Sequence, residues 1–239
     1  MKKVLFIALA MAMFTGNAKA FEYEPKEGFT FMGLFGMNIS KLQNHDYNTK
    51  AGATMGARAD FMLPKAHGTY LTAGLDWTMK GGKLAHLAEV DGDVYEASSK
   101  YVMHYVELPI RAGFRYNVKE NIGVYAEVGP YFAIGIGGRH KRTIDGDGPA
   151  VREEEDDFTF KTFKGTGNAD KHTFQRWDAG IGFRVGAEYN DHYNLMLGCD
   201  WGLADIYRNS LRDKYYTKYN TRLPKVHNFN FSLTFGYRF

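Results

Sequence analysis

Apolar and polar residues alternate one by one through the last thirteen positions of the chain, 227–239. One side carries only large, mostly aromatic residues and the other side is polar: Phe229, Phe231, Leu233, Phe235, Tyr237 and Phe239 against Asn228, Asn230, Ser232, Thr234, Gly236 and Arg238. A period of two residues predicts a β-strand. An apolar face opposite a polar face is typical of a barrel strand that has lipid outside and a polar lumen inside.

The same alternation occurs in seven earlier segments, so the pattern predicts eight strands in all. The expected strands are 28–38, 51–63, 69–80, 101–116, 122–137, 175–189, 193–206 and 227–239. Each is as long as the roughly 9–11 residues that a tilted strand needs to cross a bilayer, or longer. The strand number is even, as bacterial outer-membrane barrels require.

The connections between these strands alternate between short and long. The short ones are 64–68, 117–121 and 190–192, and the long ones are about 39–50, 81–100, 138–174 and 207–226. We therefore predict an all-β fold, an eight-stranded antiparallel transmembrane β-barrel with both termini in the periplasm and the long loops outside the cell. A soluble eight-stranded barrel is the alternative, but it would place its apolar residues inside.

The first twenty residues have the form of a secretory signal peptide. Lys2 and Lys3 precede an apolar stretch, and Ala18 to Ala20 fits the small residues of a cleavage site. We expect residues 1–20 to be removed and residues 21–239 to form one barrel domain. Without the three lysines of this peptide, 27 basic residues match 27 acidic ones, so no global basic field points to nucleic acid. The single cysteine, Cys199, excludes an intramolecular disulfide.

Projecting the alternation inward places charged residues of both signs in the lumen. The predicted interior charge network consists of Arg58, Asp60, Asp76, Glu107, Arg111, Arg115, Glu127, Asp178, Arg184, Glu188, Asp200 and Arg238. Eight strands enclose a lumen that side chains can just fill, so we interpret this set as a salt-bridged filling. A path for protons or solutes is the alternative interpretation.

Within this set, Glu107 and Arg111 lie on one face of a strand and Glu127 lies on the next strand. We hypothesise that these three form one paired network, since an interior ion without a partner costs several kcal/mol. Pro109 also points inward and removes a ladder donor, which predicts a bulge or another local distortion.

Two features of the long segment 138–174 suggest surface chemistry. Residues 145–157 contain an Asp-Gly-Asp-Gly sequence and an acidic run, whose oxygen atoms are of the kind that Ca²⁺ prefers. The spacing does not fit an EF-hand, and a solvated acidic loop is the simpler interpretation. The basic cluster 139–142 fits contact with lipopolysaccharide phosphates or balance of the acidic run.

Candidate catalytic residues occur near the predicted long-loop rim. Ser98, Ser99 and His104 flank one strand, and His172 with Asp178 flank another. No sequence feature assembles them into a nucleophile, a base and an orienting group. We therefore expect no catalytic residue, no metal ligand and no cofactor site.

Three segments resemble the outer-membrane β-barrel domain family, which includes PorT-like and OmpX-like small barrels. They are the Tyr-Val-Glu-Leu-Pro-Ile segment at 105–110, the Tyr-Ala-Glu-Val-Gly-Pro-Tyr-Phe segment at 125–132, and the ending Gly-Tyr-Arg-Phe at 236–239. Trp177 to Gly180 is similar to the family's strand start. The resemblance implies an outer-membrane barrel and implies no activity.

Together these observations predict a structural or interaction role at the cell surface. The expected partners are outer-membrane lipid and lipopolysaccharide, and other envelope proteins through the long loops. The alternatives are a barrel enzyme acting on lipid or peptide, a small-solute channel and an accessory of protein secretion.

Overall fold

The fold is a closed ring of antiparallel β-strands. The structure is a computed structural model that describes residues 28–43, 47–64, 68–90, 93–145, 158–163, 174–207, 213, 216–217, 220 and 224–239, with backbone only at 86–90, 93–97, 142–145 and 158–161. The ten strands are β1 (Gly28–Gln43), β2 (Tyr47–Asn48), β3 (Lys50–Met62), β4 (Thr69–Val90), β5 (Asp93–Lys119), β6 (Ile122–Asp145), β7 (Phe158–Lys161), β8 (Trp177–Tyr189), β9 (Tyr193–Gly202) and β10 (His227–Arg238).

Eight of these strands form the ring, and each pairs with its neighbour in the chain. β4 pairs with β5, and β1 closes the ring by pairing with β10 over the register Met32 to Arg238 through Gln43 to His227. The short strands β2 and β7 add to the ends of β4 and β6. Closure leaves no unpaired sheet edge, which is the condition for backbone groups inside a lipid bilayer.

The predicted eight-stranded antiparallel fold is confirmed, and all eight expected strands are present. The predicted signal peptide at 1–20 lies outside the described residues. Three predicted loops are corrected. Within 39–50, β1 extends to Gln43 and β2 occupies Tyr47–Asn48. Most of 81–100 belongs to β4 and β5, and β6 extends to Asp145. The strand expected at 193–206 already ends at Gly202.

Tight turns join the strands at one end of the barrel, which we call the tight-turn end. In the turn between β8 and β9, Asn190 and Asp191 have φ values of 50° and 58°. Asn and Asp are the residues that tolerate this left-handed conformation best. The opposite end, where β2 and β7 are added, is called the long-loop end.

The outward face of the ring carries a broad apolar band. Phe29, Phe132 and Trp177 are 68%, 53% and 69% exposed. None of the described residues that were predicted for the lipid face is buried. Leu233 on β10 is 42% exposed while its neighbour Thr234 is 2% exposed, so the predicted orientation of this strand is correct. No helix among the described residues is long and apolar enough to cross a membrane.

Candidate functional site

The lumen contains basic and acidic side chains in equal numbers. Among the described residues, seven basic and seven acidic side chains are buried. All twelve residues of the predicted interior network are among them, each at most 6% exposed. The other two are Lys50 and Lys80, which the prediction omitted although both lie on the inward side of their strands. Burial of so many ions requires close pairing, because desolvation of each costs several kcal/mol.

A first cluster lies near the tight-turn end. Arg238 Nη2 lies 3.0 Å from Asp60 Oδ2, and Arg238 also pairs with Glu188. Arg115 Nη2 lies 3.5 Å from Glu188 Oε2 and 3.7 Å from Asp60 Oδ2. Two arginines and two carboxylates from four different strands therefore form one neutral group, which ties β10 to β3, β5 and β8.

A second cluster occupies the middle of the lumen. Arg58 Nη2 lies 3.0 Å from Asp76 Oδ2, and Arg58 Nη1 lies 3.5 Å from Glu127 Oε2. Arg184 Nη2 approaches the same Asp76 oxygen at 3.4 Å. The hydroxyl of Tyr70 donates to Glu127 at 2.9 Å. The cluster joins β3 and β4 to β6 and β8 across the barrel interior.

Lys80 is the centre of a third cluster, nearer to the long-loop end. Its Nζ lies 2.6 Å from Glu107 Oε1 and 3.5 Å from Asp178 Oδ2. The same nitrogen lies 4.5 Å from the centroid of the Tyr131 ring, a cation–π geometry. Asn228 donates to Asp178 at 2.8 Å. One lysine is thus held by two carboxylates and an aromatic face.

The hypothesis of a Glu107, Arg111 and Glu127 network is wrong in its partners. Glu107 pairs with Lys80, and Glu127 pairs with Arg58. Arg111 Nη2 lies 3.0 Å from Asp200 Oδ1 on β9, across the lumen. The alternation along each strand predicted which side chains point inward. The partner of each side chain depends instead on its position along the barrel axis and on the register between the strands.

Pro109 is buried inside the barrel as predicted, and of the two expected alternatives the structure shows a local distortion and not a bulge. The ladder between β4 and β5 is interrupted at Leu108 and Pro109 and then resumes in the same register. The register shifts of β5 against β6 lie elsewhere, between His104 and Tyr105 and between Asn117 and Lys119. The missing N–H of proline therefore removes local hydrogen bonding without displacing the strands.

An apolar cap closes the lumen at the long-loop end. Phe163 and Phe174, from the connection between β6 and β8, are 4% and 1% exposed. The Phe163 ring meets Tyr105 at a centroid distance of 5.4 Å, and Phe174 meets Tyr101 at 5.2 Å. The remaining buried members of this cap are Leu42, Tyr47, Met103, Tyr131, Ala133, Ile206 and Val226. Sequence reasoning missed the cap because Phe163 and Phe174 lie in a segment without alternation.

The cap excludes water from polar groups at its edge. Burial is the main cause that raises the pKa of the Tyr47 hydroxyl well above its ordinary value, and the nearby Tyr101 and Tyr207 raise it further. Tyr47 lies on β2 beyond the apolar band, and its ring contacts Tyr101 at a centroid distance of 5.9 Å. The cap is therefore a packed apolar layer, and the Tyr47 hydroxyl stays neutral at physiological pH.

The candidate catalytic residues do not converge. On β5, Ser98 and His104 are outward while Ser99 is buried inside. Ser98 and His104 are six residues apart, which is about 20 Å along a strand. The His104 ring stacks on Trp77, and Asp178 is buried beside Lys80.

Other sequence features at this end carry no assembled site. His172 and residues 146–157 of the acidic loop lie outside the described residues. Among the described residues, no group of three or more His, Cys, Asp or Glu side chains could hold a metal ion. Cys199 is a free, half-buried thiol on β9.

The sequence matches the family described as outer membrane protein beta-barrel domain over residues 15–208. No curated protein matches the chain. Among solved structures, Neisserial surface protein A is 11% identical, with a TM-score of 0.43, over 89% of this chain and 96% of that one. OprG from Pseudomonas aeruginosa is 10% identical, with a TM-score of 0.41, over 89% and 96%.

A further similar structure is that of Ail, the attachment invasion locus protein of Yersinia pestis, in complex with the heparin analogue sucrose octasulfate. It is 13% identical, with a TM-score of 0.35, over 89% of this chain and 99% of that one. At these identities and TM-scores, similarity to the three structures does not indicate a function.

Proposed function

Since this chain belongs to the outer membrane protein beta-barrel domain family, we propose that it is an outer-membrane barrel with a filled lumen and a structural or interaction role at the cell surface. Both termini lie in the periplasm, and the long-loop end faces the outside of the cell. The alternation of tight turns and long connections supports this orientation, because bacterial barrels place their short turns in the periplasm.

The observation that carries the proposal is the double closure of the lumen. Seven buried basic and seven buried acidic side chains neutralise each other inside, and the apolar cap of Phe163 and Phe174 covers the long-loop end. A water-filled channel needs a continuous polar path, whereas the described residues at the long-loop end of the lumen form the buried, mostly aromatic cap. Eight strands also enclose too narrow a space for a pore beside these side chains.

An interaction role fits the parts of the barrel that exceed the apolar band. β4, β5 and β6 have 22, 27 and 24 residues, whereas about 9–11 residues suffice to cross the bilayer. The surplus lies at the long-loop end, where β4 and β5 form a hairpin that reaches Val90 and Asp93. Such an extension presents a folded surface to partners outside the membrane.

Conductance measurements test the closed lumen. The mature protein, reconstituted in planar bilayers beside a general porin as the positive control, should show no steady channel steps. The same preparation should release no product from lipid A or from a peptide substrate, which addresses the enzyme alternative. Steady conductance of the native protein would overturn the filled-lumen proposal, and turnover would overturn the non-enzymatic one.

A further inference from the structure

Three lysines stand side by side on adjacent strands at the long-loop end. The backbone register places Lys83 of β4 opposite Lys100 of β5, and Lys100 opposite Lys141 of β6. Asn48 of β2 lies opposite Lys83, and Thr159 of β7 lies opposite Lys141. The row therefore runs across five strands, and its central three positions are all cationic. We call these three residues the lysine row.

The lysine row lies on the outer face of the barrel, directly above the apolar band. All three lysines are exposed, whereas the inward neighbours Leu84 and Tyr101 pack in or against the apolar cap. On β5 the outward positions below Lys100 are Val102 and then His104. On β4 and β5, Lys83 and Lys100 are therefore the first lysine or arginine residues that the outer face presents beyond its hydrophobic surface, and on β6 Arg139 precedes Lys141.

The arrangement is unfavourable for the protein alone. Like charges directly opposite each other on neighbouring strands destabilise a sheet. With strands about 4.8 Å apart, the backbones of Lys83 and Lys141 are about 10 Å apart, with Lys100 between them. Within the described part of the chain, neither Lys83 nor Lys100 forms an ion pair, and Arg139 adds a further exposed cation.

We propose that the lysine row binds the phosphate groups of lipopolysaccharide in the outer leaflet. Phosphate is a compact, multiply charged anion that can accept from several ammonium groups at once. The position just above the apolar band is the level at which lipid headgroups meet the barrel, and anionic headgroups attract basic residues at that level. The proposal rests on the proposed function, since it needs the long-loop end to face the outer leaflet.

A binding experiment on the full mature protein in detergent tests the assignment. The probes are phosphorylated lipid A in mixed micelles, dephosphorylated lipid A in the same micelles, and inorganic phosphate. The variants are K100Q, the triple variant K83Q/K100Q/K141Q, and the control K119Q, which removes an exposed lysine at the tight-turn end. Heat-dependent mobility on gels checks that each variant is folded.

We expect phosphorylated lipid A to bind the native protein at least tenfold more tightly than dephosphorylated lipid A. K100Q should weaken this binding about fivefold and the triple variant at least tenfold, since each lysine near an anionic surface contributes about that factor. K119Q should change it less than twofold, because Lys119 lies at the opposite end of the barrel. Without lipid, K100Q should melt at or above the native temperature, because it removes the central one of three adjacent positive charges.

Three results would overturn the proposal: equal affinity for both forms of lipid A, an unchanged affinity of the folded triple variant, or inorganic phosphate binding as tightly as the lipid. The last result would assign the row to a free anion. Each of these leaves the filled lumen untouched, because that is tested by conductance. Steady conductance with normal lysine-row binding would instead refute only the proposed function.

Discussion

The buried Lys80 offers the strongest test of the interior. It is 0% exposed, and its Nζ lies 2.6 Å from Glu107 and 3.5 Å from Asp178. The substitution Lys80→Met keeps an unbranched side chain, shorter by one heavy atom, and removes the charge. Glu107 and Asp178 then lose the cation that they share, and the buried acidic side chains outnumber the basic ones by one. We therefore expect the free energy of unfolding to fall by about 3–5 kcal/mol.

A double-mutant cycle separates the pair from the general cost of burial. Glu107→Gln in the Lys80→Met background removes one of the stranded charges, and the double variant should be more stable than Lys80→Met alone. The coupling energy between Lys80 and Glu107 should be at least about 1.5 kcal/mol. The coupling between Glu107 and Arg111 should stay below about 0.5 kcal/mol, since Arg111 pairs with Asp200.

Urea unfolding of the protein in lipid vesicles measures both cycles, with loss of gel mobility shift and of tryptophan fluorescence as two probes. Lys119→Met is the matched control, because Lys119 is exposed at the tight-turn end and should change stability by less than about 0.5 kcal/mol. If Lys80→Met were as mild as this control, or if Glu107 coupled more strongly to Arg111 than to Lys80, the ion-pair assignment would be refuted.

Two further predictions concern the two faces of the strands. Leu233→Arg places a charge in the apolar band and should cost roughly 2–4 kcal/mol in vesicle unfolding, whereas Thr234→Ser on the lumen side should be mild; equal effects would reverse the faces of β10. Gly113→Ala should lower stability because its Cβ would collide with the ring of Tyr70, whereas Gly33→Ala meets open space; similar melting temperatures of these two variants would contradict the packing.

The sequence predicted the eight strands because lipid and lumen impose opposite polarity on alternate residues. It did not predict the outer halves of β4 and β5, where the polarity of the two faces is reversed. Beyond the apolar band, Lys83 and Lys100 face outward while Leu84 and Tyr101 face the cap. The alternation continues there, but the outward positions are charged. A pattern that requires apolar residues on the lipid side therefore predicts a loop.

The interior residues were predictable by parity, and their partners were not. Lys80 lies four residues after Asp76 on β4, so the alternation predicts that it points inward. No pattern within one strand predicts that Lys80 meets Asp178 on β8. That contact depends on the register of every strand between them. The cap was out of reach for a different reason, since Phe163 and Phe174 are brought to the lumen by a connection without periodicity.

The glycines of the chain explain how so narrow a barrel holds so many large side chains. Tyr125 lies opposite Gly186, and Tyr131 lies opposite Gly180. A Cβ at either glycine would collide with the ring of the facing tyrosine, so each ring occupies the space that a side chain on the next strand would fill. The guanidinium of Arg111 uses the space beside Gly182 in the same way. Inward glycines therefore provide the volume that eight strands alone do not, and the filled lumen depends on them as much as on its ion pairs.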